Sequence, residues 1–142
     1  MHRCLIVLVL LAASACSDST GLTSANTGLD ISGAWVGTLT SSNNPPEPVV
    51  VSLLQNGRHV EGTWRSEVRF WSGQAIGDID GASFSGQMTF TGTVSGQTVC
   101  TGTASVAGSV VATSLSWSSP NGFVGDSCPA PLPVAIRFDL HR

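Results

Sequence analysis

The sequence predicts an all-β fold, in which an antiparallel meander of about eight strands closes into a small barrel. Apolar and polar residues alternate in short runs from residue 31 to residue 142, which is the pattern of half-buried strands. Turn signals separate these runs at short, even spacing, and no helical period of useful length interrupts them. A β-sandwich is the runner-up. We favour the barrel because closure removes the exposed strand edges that invite aggregation.

The clearest hairpin follows the first strand, SGAWVGTLT. Its two arms lie in VVVSLLQNGRHVEGTWR, where Asn56-Gly57 separates two alternating runs. This dipeptide favours a tight type I′ turn, since both central residues of that turn need a positive φ. In the second arm Val60, Gly62 and Trp64 share one face of the strand, which we expect to point inward.

A second turn is predicted at Asp80-Gly81, within DIDGASFSGQMTFTGTV. After this turn Phe84, Met88 and Phe90 fall on one face of the next strand. Several glycines lie inside the predicted strands, where they suit strands that coil strongly around a barrel. These glycines are Gly62, Gly86, Gly92 and Gly102.

Three more strands are predicted in the C-terminal part of the domain. The segments TVCTGTASV and SVVATSLSW are expected to be joined near Ala107-Gly108. The last strand, PVAIRFDL, alternates without interruption and is therefore predicted to be half-buried. Its inward residues are expected to be Val134, Ile136, Phe138 and Leu140.

The N-terminus has the pattern of a secretory signal. Two basic residues, His2 and Arg3, precede an apolar run from residue 4 to residue 11, and the small residues AASA follow. The apolar run is much shorter than the ~20 residues that a membrane-spanning helix needs. A cleaved export signal is therefore expected rather than a permanent transmembrane helix.

Small residues at positions 13–15 directly precede Cys16. This arrangement resembles the bacterial lipobox, in which small residues precede a cysteine. The resemblance implies cleavage before Cys16, lipidation of this residue and attachment to a membrane, which two or three acyl chains make stable. The alternative is ordinary cleavage at the same place, which leaves Cys16 as an unmodified thiol in a secreted or periplasmic protein.

On this interpretation the chain has three parts. Residues 1–15 are a lipoprotein signal peptide, residues 16–30 are the lipidated cysteine and a flexible linker, and residues 31–142 are the barrel domain. Ser17 follows the cysteine, where an aspartate often retains members of this family in the inner membrane. The expected location is therefore the cell envelope, at the outer membrane.

The cysteines fit this compartment. Cys4 leaves with the signal peptide and Cys16 takes the lipid, so Cys100 and Cys128 remain to pair in an oxidising environment. Their disulfide would close a loop of about 29 residues and stabilise the domain by about 3.5 kcal/mol on the loop-entropy model. It would also fix a long, proline-rich segment before the last strand.

The first strand carries a second resemblance. Gly33 to Trp35, GAW, looks like the Gly-x-Trp start of the calycin group, which includes the lipocalins and avidins. The resemblance implies a closed barrel in which a basic residue from the end of the barrel packs on this tryptophan. Arg137 and Arg142 are the two candidates for that basic residue.

The four tryptophans are the candidate binding residues. Trp35, Trp64 and Trp117 fall on inward strand positions, where they either fill the core or line a cavity for a small apolar ligand. Phe70-Trp71 interrupts the strand pattern. If the strand continues through this dipeptide, one of the two rings is expected to face outward, and Trp71 is the fourth candidate for a ligand or partner contact.

Several function classes find no support in the sequence. The formal charge of −3 and the lack of a basic stripe argue against nucleic acid as a partner. No nucleophile elbow or catalytic triad order is visible, and no ligand set for a metal or cofactor, so we do not expect an enzyme. Two hypotheses remain. The barrel either binds a small apolar molecule, or it is a filled interaction module that contacts an envelope protein.

Overall fold

The computed structural model describes residues 28–42, 44–94, 98–123 and 135–142. These residues form eight antiparallel strands that pair in sequence order, and the pairing of the first strand with the last closes the barrel. The predicted meander barrel is confirmed, and the sandwich is not what forms. The strands are β1 (Gly33–Ser41), β2 (Asn44–Asn56), β3 (His59–Ser66), β4 (Ser72–Asp80), β5 (Ser83–Val94), β6 (Thr98–Val111), β7 (Ser114–Ser119) and β8 (Ile136–His141).

The predicted alternation fixes which side chains fill the barrel. On β5 the predicted inward residues Phe84, Met88 and Phe90 are all buried. On β8 the alternating positions Ile136, Phe138 and Leu140 are buried as well. Val134, the remaining inward prediction for the last strand, lies outside the described residues. Polar residues occupy most positions in between, so the hydrophobic core is the barrel interior.

The two predicted turns occur, but each lies one residue further along the chain. Asn56 still belongs to β2, so the loop consists of Gly57 and Arg58. Gly57 has a φ of 63°, whereas Arg58 has no positive φ. The turn is therefore not the predicted type I′, which requires positive φ at both positions. The Asp80-Gly81 turn is shifted in the same way, with a φ of 60° at its glycine.

The prediction of a turn near Ala107-Gly108 was wrong. Strand β6 continues through this dipeptide, and the chain turns at residues 112–113. Gly108 has a different role from the one expected, since a Cβ at this position would overlap the carbonyl oxygen of Ser116 on β7. The glycine therefore permits a close approach of two strands rather than a turn.

The meander gives the barrel two different ends. End A contains residues 28–32 before β1, the tight turns that follow β2, β4 and β6, and Arg142 after β8. End B contains the β1–β2 connection, the loop of residues 67–71 between β3 and β4, and the approach to β8. The described residues include no helix that is long and apolar enough to cross a membrane.

Candidate functional site

The barrel interior is filled along most of its length. An exposed fraction of zero means that no water-sized sphere touches a side chain, either from outside or from an internal void. Eight inward side chains reach this limit, one on each of the eight strands. They are Trp35, Val51, Val60, Ala75, Met88, Cys100, Trp117 and Phe138. Around these residues the interior has no room for a ligand.

The four predicted tryptophans separate into two groups. Trp35 and Trp117 are fully buried core residues. The Trp35 indole donates a hydrogen bond of 2.9 Å to the Ile31 carbonyl, and Trp117 stacks on Phe84 with ring centroids 4.6 Å apart. Core packing accounts for this pair, whereas Trp64 and Trp71 both belong to a cluster at end B.

End A is closed by Arg142. Its guanidinium lies 4.6 Å above the centre of the Trp35 ring, a cation–π distance. The same group donates hydrogen bonds to the carbonyl oxygens of Asp30, Ser32 and Ala112 at 2.9, 3.1 and 3.1 Å. These contacts join the segment before β1, the β6–β7 turn and the end of β8. We call this arrangement the Arg142 clasp.

The clasp identifies which predicted arginine packs on the first-strand tryptophan. Arg137 does not, because its Nε donates a 2.7 Å hydrogen bond to Asp139 on the outer surface of β8. That bond lowers the pKa of the Asp139 carboxyl and raises the pKa of Arg137. In the clasp, hydrogen bonds from Ser32 and the charge of Arg142 lower the pKa of Asp30.

End B is built around an aromatic cluster. Phe123 stacks on Trp64 and on Phe90, with centroid distances of 5.9 and 5.2 Å. Trp64 also meets Phe138 edge-on at 5.3 Å, and Trp71 meets Phe90 edge-on at 5.2 Å. These distances fall in the favourable range for aromatic pairs. The cluster brings together three strands and two connections, so it fixes the shape of this end.

Two glycines make room for the tryptophans of the cluster. A Cβ on Gly73 would overlap the Thr89 carbonyl, and that carbonyl accepts a 2.9 Å hydrogen bond from the Trp64 indole. A Cβ on Gly92 would overlap the Trp71 ring. Gly92 therefore admits the bulky Trp71 ring next to the backbone of β5.

A buried ion pair lies beside the aromatic cluster. Glu47 is only 7% exposed, and its Oε2 lies 3.3 Å from Nε of Arg69 and accepts a 3.1 Å hydrogen bond from Ser66. Arg69 also donates to the Asn44 side chain at 2.8 Å and lies 5.2 Å above the Trp71 ring. Both charges are thus compensated, as a buried pair requires.

Glu47 is not among the candidate residues predicted from the sequence. Its position was open to prediction, because Glu47 shares the inward phase of Val49 and Val51 on the same strand. A charged residue at an inward phase needs a partner. The partner could not be deduced, since Arg69 comes from the loop after β3 rather than from a strand.

The β3–β4 loop is tied down yet displays an aromatic ring. The Ser66 hydroxyl accepts hydrogen bonds from the backbone N–H groups of Val68 and Arg69 at 3.3 and 3.2 Å, and the Ser66 N–H donates to the Trp71 carbonyl at 2.7 Å. Phe70 is nevertheless 88% exposed and has a φ of 58°. No strand continues through Phe70-Trp71, so the condition of the prediction is not met. Of the two rings, Phe70 is the one that faces outward.

The cysteine predictions remain open in the structure. Cys100 lies near the start of β6, towards end B, where it is fully buried. Cys128 and Cys16 lie outside the described residues. The Cys100–Cys128 disulfide and the lipidation of Cys16 therefore stay predictions.

Comparison with family models, with curated proteins and with solved structures finds no match to this chain. Within residues 28–42, 44–94, 98–123 and 135–142, no group of three or more His, Cys, Asp or Glu side chains is placed to hold a metal ion. End B combines the aromatic cluster, the Glu47–Arg69 pair and the exposed ring of Phe70.

Proposed function

We propose that this protein is a lipid-anchored component of the bacterial cell envelope whose filled barrel serves as an interaction module. Its contact with an envelope protein is made by the β3–β4 loop at end B. The observation that carries this proposal is the conformation of Phe70, which is 88% exposed at a φ of 58°.

A bulky residue at positive φ is strained by about 1–2 kcal/mol, and a glycine would avoid this cost. The hydrogen bonds from the loop to Ser66 and the pairing of Arg69 with Glu47 hold the strained conformation in place. The loop thus fixes an apolar ring in water rather than letting it fold back. Rigid, exposed aromatic residues are the usual anchors of protein interfaces.

The surroundings of Phe70 indicate the chemistry of the partner. Val68, on the same loop, is 60% exposed and extends the apolar surface. Arg65 and Glu67 lie beside the loop as a weak pair 3.9 Å apart, with side chains 67% and 51% exposed. An apolar centre with a polar rim fits a protein surface that offers an apolar recess flanked by charged groups.

The anchor and the family resemblance support the envelope setting. The lipobox-like sequence predicts attachment through Cys16, and the described chain enters the barrel at end A. End B, with its exposed loop, therefore faces away from the point of attachment. The closed barrel and the Arg142 clasp on Trp35 support a calycin-like domain, although a shared fold does not imply a shared function.

Binding of a small apolar ligand is the second candidate, and the aromatic cluster favours it. Trp64, Phe90 and Phe123 stack at end B, where closed barrels hold their ligands. A ligand would have to displace Phe123, because this ring is only 7% exposed. Native mass spectrometry of the exported protein distinguishes the two candidates. A bound mass that leaves on activation supports the ligand, and a bare mass after incubation with envelope lipids supports the filled barrel.

Photo-crosslinking in intact cells tests the interaction proposal. A photoreactive phenylalanine analogue replaces Phe70 in the full chain, and a matched protein carries it at Thr103, which is exposed on the outer face of β6. We expect position 70 to give one discrete crosslinked protein that position 103 does not give. Equal patterns from both positions, or no protein adduct at position 70, would contradict the proposal.

The anchor has a separate test. Replacing Cys16 by Ser should move the protein from the membrane fraction to the soluble fraction, because it removes the predicted site of acylation. Membrane association that survives the substitution would exclude Cys16 as the anchor.

A further inference from the structure

The outer surface of β2, β3 and β4 has three rows of residues defined by the strand register. We call this surface the β2–β4 face. The rows are Leu54–Glu61–Ile76, Ser52–Thr63–Gln74 and Val50–Arg65–Ser72, in order from end A to end B. The face thus carries an acidic row towards end A, a neutral polar row in the middle and a basic row towards end B.

This face has features of a contact surface. Leu54 and Ile76 are 60% and 46% exposed, on either side of Glu61. Two shallow grooves of about 490 Å³ each cross the face, and both include the central residues Ser52, Thr63 and Gln74. The central row is short and uncharged, so another surface can approach it closely.

The arrangement of charges on the β2–β4 face indicates which molecule binds there. Among the described residues, Glu61 has no ion-pair partner, and Arg65 has only the 3.9 Å contact with Glu67. The two charges are equally spaced on either side of Thr63 along β3. A twofold axis that lies in the contact plane and crosses the strands at Thr63 brings each Glu61 opposite Arg65 of the second copy.

We propose that the β2–β4 face binds a second copy of this chain in an antiparallel, twofold arrangement. In this dimer the two Thr63 residues meet at the axis, and Glu61 of each copy pairs with Arg65 of the other. Leu54 of each copy packs against Val50 of the other, and this contact covers the exposed side chain of Leu54. Such a contact is isologous, so it closes as a dimer and does not propagate into a fibre.

The dimer is expected to be weak. Three strands by three rows are smaller than the ~800 Å² per partner of a standard interface. Attachment of both copies to one membrane raises their effective concentration and compensates for a weak contact. The dimer shares Arg65 with the polar rim of the proposed interaction at end B, but it uses neither Phe70 nor the aromatic cluster. The crosslink at position 70 and the dimer yield of Thr63→Cys therefore report on the two proposals separately.

Cysteine crosslinking of the full, membrane-attached chain tests the dimer. Thr63→Cys is treated with a short bis-maleimide, and dimer is measured on a reducing gel. The wild-type chain controls for the native cysteines, and Thr103→Cys on β6 is the matched exposed position outside the face. We expect at least about fivefold more dimer from Thr63→Cys than from Thr103→Cys, because facing residues at the axis stay close.

Charge reversal makes the test specific for the proposed pairing. In the Thr63→Cys background, Glu61→Arg or Arg65→Glu alone opposes like charges and should lower the dimer yield about tenfold. The double exchange, Glu61→Arg with Arg65→Glu, should restore the yield to within about twofold. Phe70→Gly should leave it unchanged. The proposal would be overturned if the single charge reversals left the dimer yield unchanged. It would also be overturned if the double exchange failed to restore the yield.

Discussion

The two ends of the barrel use the same residue types for opposite purposes. At end A, Arg142 lies over Trp35 and donates to three backbone carbonyls, so the charge closes the barrel. At end B, Arg69 lies over Trp71 and binds the side chains of Glu47 and Asn44. There the charge supports a loop that keeps Phe70 in water. The contacts of Arg142 close end A, whereas the contacts of Arg69 hold a loop that exposes an aromatic side chain.

The largest expected difference between the ends concerns their tryptophans. Trp35→Leu should lower the free energy of unfolding by about 3–4 kcal/mol, because it leaves a cavity in a fully buried site and removes the platform for Arg142. Trp71→Leu should cost less than half as much, since Trp71 is only partly buried. Urea unfolding measures both. Equal losses would mean that end B is packed as tightly as end A.

The predicted disulfide is the next largest effect. If Cys100 and Cys128 pair, reduction of the folded protein should lower its stability by about 3.5 kcal/mol. Thermal unfolding with and without reductant measures the change, and alkylation before reduction should label neither cysteine. Labelling of both cysteines in the unreduced protein would show that the pair does not form.

Removal of the Arg142 clasp comes third. Arg142→Met keeps much of the aliphatic stem but loses the cation–π contact and the hydrogen bonds to the carbonyls. The free energy of unfolding should fall by about 2 kcal/mol. Arg137→Met is the control, because Arg137 forms an exposed pair with Asp139 that should contribute little to the free energy of unfolding. If Arg137→Met lowered the free energy of unfolding as much as Arg142→Met, the clasp would have no special role in closing end A.

At end B a substitution is expected to stabilise the protein. Phe70→Gly relieves the backbone strain at a φ of 58°, whereas the exposed ring contributes little to folding. The gain should be about 1 kcal/mol, seen as a higher midpoint of unfolding. If the proposed interaction at end B exists, the same variant should weaken it. A stabilised variant with unchanged partner binding would separate the strain from the function.

The smallest effect concerns pH at end A. The pKa of Asp30 is lowered in the folded protein, so its contribution is present above the unfolded pKa and is lost as the pH falls through the lower folded value. Asp30→Asn should therefore reduce the melting temperature slightly at pH 6, by less than about 2 °C. The difference should begin to shrink near the ordinary pKa of 3.8 and vanish below the lowered pKa of the folded protein. If the difference in melting temperature grew in acid, the pKa of Asp30 would be raised rather than lowered by folding.

Much of the fold was predictable because it follows from local patterns. The alternation on β8 and the inward face of β5 were predicted residue by residue, since strand periodicity depends only on neighbours in sequence. The turn at Gly108 was mispredicted for the converse reason. Glycine marks either a turn or a close approach of strands, and only the position of Ser116 on the next strand decides between them.

The candidate site was predictable only in part. The sequence indicated that Phe70 or Trp71 is exposed, but which ring faces outward depends on Gly92, which admits Trp71 beside β5. The Glu47–Arg69 pair was missed because it joins a strand to a loop after the next strand. Such contacts depend on register and on how far one side chain reaches, and neither follows from local sequence.

The seam between β1 and β8 has a consequence for the rate of folding. It joins residues about one hundred positions apart, such as Val36 and His141, and the clasp joins Asp30 to Arg142. Contacts of such long range carry a large loop-closure cost before they form, and barrels of this kind fold slowly, in milliseconds to seconds. A nascent chain that lacks β8 cannot close the seam. If the chain is exported unfolded, as its N-terminal sequence predicts, this delay would favour passage of the whole domain before the barrel closes.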